Sequence, residues 1–275
     1  LSSYLVIVLD TNPHAWANLE PTLPLSRAIA NILVFINAHL AVNSSNQVAV
    51  VASHSRCASW LYPRPPRSEE SEKNDISPET NAKKYRPFAL IEKSLLASLR
   101  ELIASTTEED VSTPTTQMAS ALTLALTYIN KASVNVYGML PDLEPVTSAA
   151  DTGEKSMNIQ SRILVFSVSG DLAHQYIPIM NCTFAAQRLR IPIDICKLAG
   201  DTVFLQQASY STKGIYMQIR SPQAFLQYLM MVFLPDLSSR KHLVVPTQET
   251  VDFRAACFCH RKVVDIGFVC SVCLS

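Results

Sequence analysis

Four cysteines near the carboxyl end of this 275-residue chain, Cys257, Cys259, Cys270 and Cys273, form a C-x-C-x10-C-x2-C pattern. Paired cysteines with a short gap between pairs are how thiolates surround a tetrahedral Zn²⁺. The spacing therefore predicts the start of a C4-type zinc finger over residues 257–275. Which thiolates share one ion is open. The C-x-C pair is tighter than the usual C-x2-C knuckle, and Cys270 with Cys273 can be half of a site completed by a further pair beyond Ser275. A disulfide is the alternative, and it requires an oxidising compartment. The other three cysteines, Cys57, Cys182 and Cys196, stand alone in apolar segments, where free, buried thiols are expected.

The second candidate is a carboxylate. From Leu5 to Leu9 the chain is continuously apolar, which suits a parallel strand buried on both faces, and Asp10 follows it at the head of the sequence Asp10-Thr11-Asn12-Pro13-His14. In open α/β sheets ligands bind beyond the carboxyl ends of such strands, so Asp10 stands where a ligand is expected. An aspartate there can equally cap a turn or the next helix.

Other chemistries find no support. The six glycines, at 138, 153, 170, 200, 214 and 267, never approach the spacing of a dinucleotide or Walker A loop, which argues against nucleotide binding. No G-x-S-x-G elbow surrounds Ser167 or Ser169, and the six histidines show no H-E-x-x-H spacing. The chain is read as non-catalytic. Basic and acidic residues balance at 23 each, so there is no overall pull towards nucleic acid or anionic membrane. Arg64, Arg67, Lys83, Lys84 and Arg86 gather in one loop, but five acidic residues between Glu69 and Glu79 dilute them, which disfavours direct DNA binding. No apolar run approaches the ~20 residues of a membrane span, and no signal peptide opens the chain. A low charged fraction of 17% fits a surface partly covered by partner subunits.

The elements that must position these residues read as alternating strands and helices. Strands are expected at Leu5–Leu9, Gln47–Ser53, Cys57–Tyr62, Arg162–Val168, Ile191–Cys196 and Gly214–Gln218. Helices are expected at Leu25–Leu40, Phe88–Ile103, Thr116–Ala132, His174–Leu189, Thr202–Ser209 and Pro222–Leu234. The turn at residues 53–56 is too short for a crossover helix, so the strands flanking it must pair antiparallel. The fold class is therefore α/β: a doubly wound, mostly parallel sheet with an antiparallel edge strand over residues 1–235. An irregular connector (236–256) and the cysteine-rich segment (257–275) follow. Polar loops are expected at 63–86, 104–115 and 138–160. A start at Leu1 rather than Met marks the chain as trimmed.

This order of elements resembles the von Willebrand factor A domain, whose metal-ion-dependent adhesion site carries D-x-S-x-S after the first strand, a threonine in a later loop and an aspartate after the fourth strand. Asp10, Asn12, Thr115 (or Thr116) and Asp171 fall at the corresponding places, the last with a shifted register. His14 puts nitrogen where hard Mg²⁺ wants oxygen, so the site is read as degenerate and Mg²⁺ binding as disfavoured. A metal-dependent, ligand-binding adhesion domain remains the alternative reading.

The segments LVIVLDTNPHAW (5–16), TFAAQRLRIPIDIC (183–196) and AACFCHRKVVDIGFVCSVCLS (255–275) resemble the family of the smaller von Willebrand A-like subunit, subunit 3, of general transcription factor IIH. The resemblance implies a nuclear, non-catalytic scaffold subunit. It implies binding to the larger von Willebrand A-like subunit through that partner's cysteine-rich carboxyl-terminal domain. With the other core subunits and the helicases, it would act in RNA polymerase II transcription initiation and nucleotide excision repair.

Overall fold

The computed structural model describes residues 3–64, 86–112, 114–138, 160–170, 173–200, 202–244, 246, 251–256 and 263–268. Six strands form one sheet in the order β3-β2-β1-β4-β5-β6. They are β1 (Ser3–Asp10), β2 (Gln47–Ser53), β3 (Ala58–Tyr62), β4 (Gln160–Ser167), β5 (Ile193–Lys197) and β6 (Tyr216–Gln218). Every neighbouring pair is parallel except β2 and β3, so the short turn at 53–56 does impose an antiparallel edge. β1 lies at the centre because the chain first adds β2 on one side and later β4 on the other. The crevice of a doubly wound sheet opens at such a reversal, above the carboxyl end of β1.

Alternation along β1 divides the core. Leu5, Ile7 and Leu9 face one layer with α1 (Pro13–Leu19), α2 (Leu25–Val42), α3 (Arg86–Ala104) and α8 (Phe225–Tyr228). Val6 and Val8 face the other with α5 (Met118–Gly138), α6 (Tyr176–Arg188) and α7 (Val203–Ser211). All of β1 is buried, which is why its sequence reads as a continuous apolar run rather than an alternating one. α2 is 18 residues long and apolar enough to reach the lower bound of a membrane span, but Ala28, Ile29, Ile32, Leu33, Phe35 and Ile36 spend that character on the core.

Several expectations are corrected. The loop expected after β1 contains α1, started by Asn12 as N-cap, whose side chain accepts the Ala15 N–H, and by Pro13 in its first turn. The loop expected at 104–115 contains α4 (Glu108–Ser112). There the Thr107 backbone N–H and hydroxyl both donate to Asp110 Oδ2, at 2.9 and 2.8 Å, so the Asp110 side chain reaches back to hold the start of the helix. The single helix expected at Pro222–Leu234 is broken into a 3₁₀ turn (Pro222–Ala224), α8 and a π turn (Leu229–Phe233). Cys182 and Cys196 are buried free thiols as expected, whereas Cys57, in the β2–β3 turn, is exposed. The connector after residue 235 is not wholly irregular, since a 3₁₀ turn (Ser239–Lys241) and strand β7 (Ala255–Ala256), paired antiparallel with β8 (Val263–Val264), lie in or against it.

The amino end of the sheet is held by charge. Arg162 on β4 and Asp194 on β5 are both almost fully buried, at 2% and 1% exposure. Arg240 grips the Asp194 carboxylate with both guanidinium Nη atoms, at 2.9 and 2.5 Å, while Asp194 Oδ1 also accepts the Ile215 N–H. Arg162 donates instead to the Pro235 and Leu234 carbonyls. These bonds clamp the segment after the π turn to the sheet.

Two outcomes follow from this packing. A Cβ on Gly214 would stand 1.9 Å from the Ile193 carbonyl oxygen, a backbone atom that cannot yield. Gly214→Ala is expected to lose about 3 kcal/mol or more, read as a lowered urea midpoint at unchanged slope. On α2, burial and the Arg162 charge push the His39 imidazole down to about 4 from its ordinary 6.5. Between those values the unfolded chain takes up a proton that the folded one refuses, so stability falls as pH drops from about 6.5 to about 4. His39→Gln should flatten that part of the stability profile.

Candidate functional site

The crevice above β1 is organised by Asp10, which is completely buried. Its Oδ1 accepts the Asn12 N–H at 3.1 Å, and its Oδ2 accepts the Val168 and Ser169 N–H groups at 3.1 and 2.7 Å. The Asp10 carbonyl accepts the Trp16 indole N–H at 2.7 Å. One residue thus ties the β1–α1 loop to the loop that follows β4. Burial raises the Asp10 carboxyl above the usual range, and the N–H groups of Ser169, Asn12 and Val168 pull it back. The three N–H donors favour the carboxylate and burial favours the neutral acid, with burial the larger effect.

A second cluster closes the crevice from the β2 side. His54 is buried, with Nδ1 against the Thr11 carbonyl and hydroxyl, at 3.0 and 3.2 Å, and Nε2 against the Thr106 hydroxyl at 3.3 Å. The Ser53 and Thr116 hydroxyls meet at 2.6 Å, and Thr116 also donates to the Ser53 carbonyl. Gln175, from the 3₁₀ turn before α6, accepts the Ala119 N–H at 3.0 Å and donates to the Thr116 carbonyl, so its amide caps the start of α5. Sequence reasoning overlooked His54 and Gln175. Neither has a motif; the only available signal is a lone polar residue beside a strand or helix end.

The residues expected at a metal site come together only in part, and not as ligands. Asn12 Oδ1 is occupied by the Ala15 N–H, and its Nδ2 donates to the Thr115 carbonyl. Thr115 therefore offers a backbone oxygen to an amide, while the buried hydroxyl is that of Thr116. Asp171 lies outside the described residues, as do Cys257, Cys259, Cys270 and Cys273. Mg²⁺ wants six oxygens at near-ideal octahedral positions. The Asp10 and Asn12 oxygens already hold N–H donors, so the donor set does not fit that ion. Among the described residues no group of three His, Cys, Asp or Glu side chains is placed to hold a metal.

The described residues flanking the first cysteine pair dock on α7. The Gln207 amide donates to the Asp252 and Arg254 carbonyls at 2.7 and 3.1 Å, and the Tyr210 and Phe253 rings meet edge to face at 5.3 Å. Arg254 pairs with Asp252 and Asp265, tying the two sides of the β7–β8 pair. These exposed ion pairs contribute little stability by themselves.

Comparison with known proteins accords with this architecture. A von Willebrand factor type A structure from Catenulispora acidiphila superposes with a TM-score of 0.50 over 83% of this chain and 41% of its own, at 11% identity, which shows the fold alone. A crystal structure of the TFIIH p34 N-terminal domain gives 0.68 at 46% identity, covering 83% of this chain and 96% of its own. The general transcription and DNA repair factor IIH subunit tfb4 of Schizosaccharomyces pombe is 44% identical over 273 residues, which is 99% of this chain and 83% of that protein. General transcription factor IIH subunit 3 of Dictyostelium discoideum is 35% identical over 91% of this chain and 63% of its own. The family model for transcription factor Tfb4 matches residues 2–275, and with it the von Willebrand A-like chain described above belongs to the Tfb4 family.

Proposed function

We propose that this chain is a non-catalytic subunit of the core of general transcription factor IIH, holding other subunits in place in the nucleus during transcription and DNA repair. The observation that carries the reading, beside family membership, is the fate of Asp10. In the crevice where the fold offers a ligand site, each oxygen of the carboxylate is taken by backbone N–H groups of the chain itself. A site so filled serves to fix loops, and a domain with fixed loops is suited to present rigid surfaces to partners. A neutral balance of 23 basic and 23 acidic residues supports protein contacts over direct binding to DNA.

The finer reading names the larger von Willebrand A-like subunit as the direct partner, through its cysteine-rich carboxyl-terminal domain, with the helicases supported through that pair. Zinc held by Cys257, Cys259, Cys270 and Cys273 is part of the same proposal. Support comes from their spacing, from the docking of Asp252, Phe253 and Arg254 on α7, and from the pairing of β7 with β8, which holds the chain on both sides of the first pair.

Affinity purification of the chain from nuclear extract is expected to recover the larger von Willebrand A-like subunit and the helicases. Asp10→Ala leaves three buried N–H groups unpaired and should lose about 3 kcal/mol of stability while retaining those partners below its melting temperature. Loss of the partners from a variant that is still folded would overturn the reading of Asp10 as a lock. Elemental analysis of the purified chain should find zinc, released when Cys270 and Cys273 are both replaced by Ser; a zinc-free chain would remove the metal from the proposal.

A further inference from the structure

At the amino end of the sheet, opposite the Asp10 crevice, lies a cavity of about 710 Å³. Ser3, His39, Asn46 and Arg162 contribute polar lining, and Val42, Met230, Leu234 and Leu243 contribute apolar lining. Val42 and Leu243 are exposed, at 71% and 52%, so the cavity opens to solvent past hydrophobic side chains. Apolar walls around a few polar groups make the usual composition of a small-ligand site.

Two lining side chains carry a buried nitrogen with no hydrogen-bond partner, His39 Nε2 and Arg162 Nε. Arg162 is the sharper case. Its two bonded donors go to neutral carbonyls, and the nearest carboxylate oxygen, Asp194 Oδ2, is 3.9 Å away and already gripped by Arg240. The other acid on the cavity wall, Asp236, is turned to the Ser238 hydroxyl and the Ser239 N–H. A guanidinium at 2% exposure is thus left with its Nε–H unused and its nearest carboxylate oxygen at 3.9 Å. Burying a cation without a close counter-charge is costly, and a ligand that supplies one recovers that cost. The lowered titration of His39 beside it, caused first by burial and then by the Arg162 charge, agrees with a cationic guanidinium on this wall.

We propose that this cavity binds a ligand with a carboxylate head and a branched apolar body, the carboxylate accepting from Arg162 and the body lying between Val42, Leu234 and Leu243. The head can belong to a free acid or to the carboxyl terminus of a peptide. The same chemistry serves both, and the placement beside the clamped segment after residue 234 makes the cavity a point where occupancy would stiffen the link to the carboxyl-terminal segment.

The test is a titration of the ¹⁵N-labelled chain with four probes: 3-methylbutanoate, 3-methylbutanamide, N-acetyl-Gly-Leu as its free acid and the same peptide as its amide. The Arg162 Nε–H resonance is followed. Both acids are expected to shift it, at least about tenfold more tightly than their amides; a tighter peptide acid assigns the source to a chain terminus, a tighter butanoate to a free acid. Arg162→Met removes the recognition but also disturbs the core, so Leu243→Trp serves as the second variant. It fills the mouth from an exposed position and should abolish the shifts at unchanged melting temperature. Equal shifts from acid and amide, no shift from any probe, or shifts that persist in Leu243→Trp would each overturn the proposal.

Discussion

A carboxylate buried at the centre of a sheet has to be answered by donors, and here the donors belong to the loops. Asp10 leaves water completely and accepts three backbone N–H groups, one from its own loop and two from the loop after β4. In a low-dielectric interior such charge-assisted bonds are among the stronger ones available, and an unanswered charge among the most expensive defects. The position of both loops is therefore dictated by one side chain. Trp16, donating to the Asp10 carbonyl, then sets α1, and Asn12 sets its first turn. A metal ion in the same crevice would have to displace these N–H groups, and the loops would have to give up the geometry that β1 imposes on them.

The two ends of the sheet solve the same problem differently. At the carboxyl end the buried Asp10 carboxyl is answered by backbone N–H groups. At the amino end two arginines surround Asp194, and one of them, Arg240, comes from the segment after the π turn. The first arrangement fixes loops to each other; the second fixes a tail to the sheet. Both join segments far apart in the chain to the central sheet.

Much of this was legible in the sequence, and the misses have physical causes. The continuous apolar run at Leu5–Leu9, the four-residue turn at 53–56 and the periodic helices fixed layers, strand order at the edge and the place of Asp10. Helix α1 was missed because a seven-residue helix carries too few turns to show a period, although Asn12-Pro13 is a good helix start. α4 was missed for the same reason, with Thr107 and Asp110 as the overlooked signal. The Asp10 site was half legible. That Asn12 and His14 make poor magnesium ligands follows from their chemistry, and the Asn12 cap is a local bond to Ala15, but that Asp10 binds two loops depends on contacts 158 and 159 residues apart along the chain. Arg162 looks out of place in an apolar strand until the fold brings the Asp194 carboxylate to 3.9 Å from it, a pairing that no local pattern announces.

What a locked crevice leaves free is the outside of the helical layers. Both faces of the sheet are covered, so partners must meet helices, loop tips or the carboxyl-terminal segment. Large apolar side chains do remain in water there: Phe184 on α6, Met231 in the π turn, and Phe253, Ile266 and Phe268 around the β7–β8 pair. Singly they are ordinary, but Phe253 already belongs to the contact with α7 that Gln207 and Tyr210 define. A rigid crevice and an anchored tail then belong to one design. The loops tied by Asp10 and the tail tied by Gln207 present neighbouring subunits with a geometry that the chain's own hydrogen bonds define.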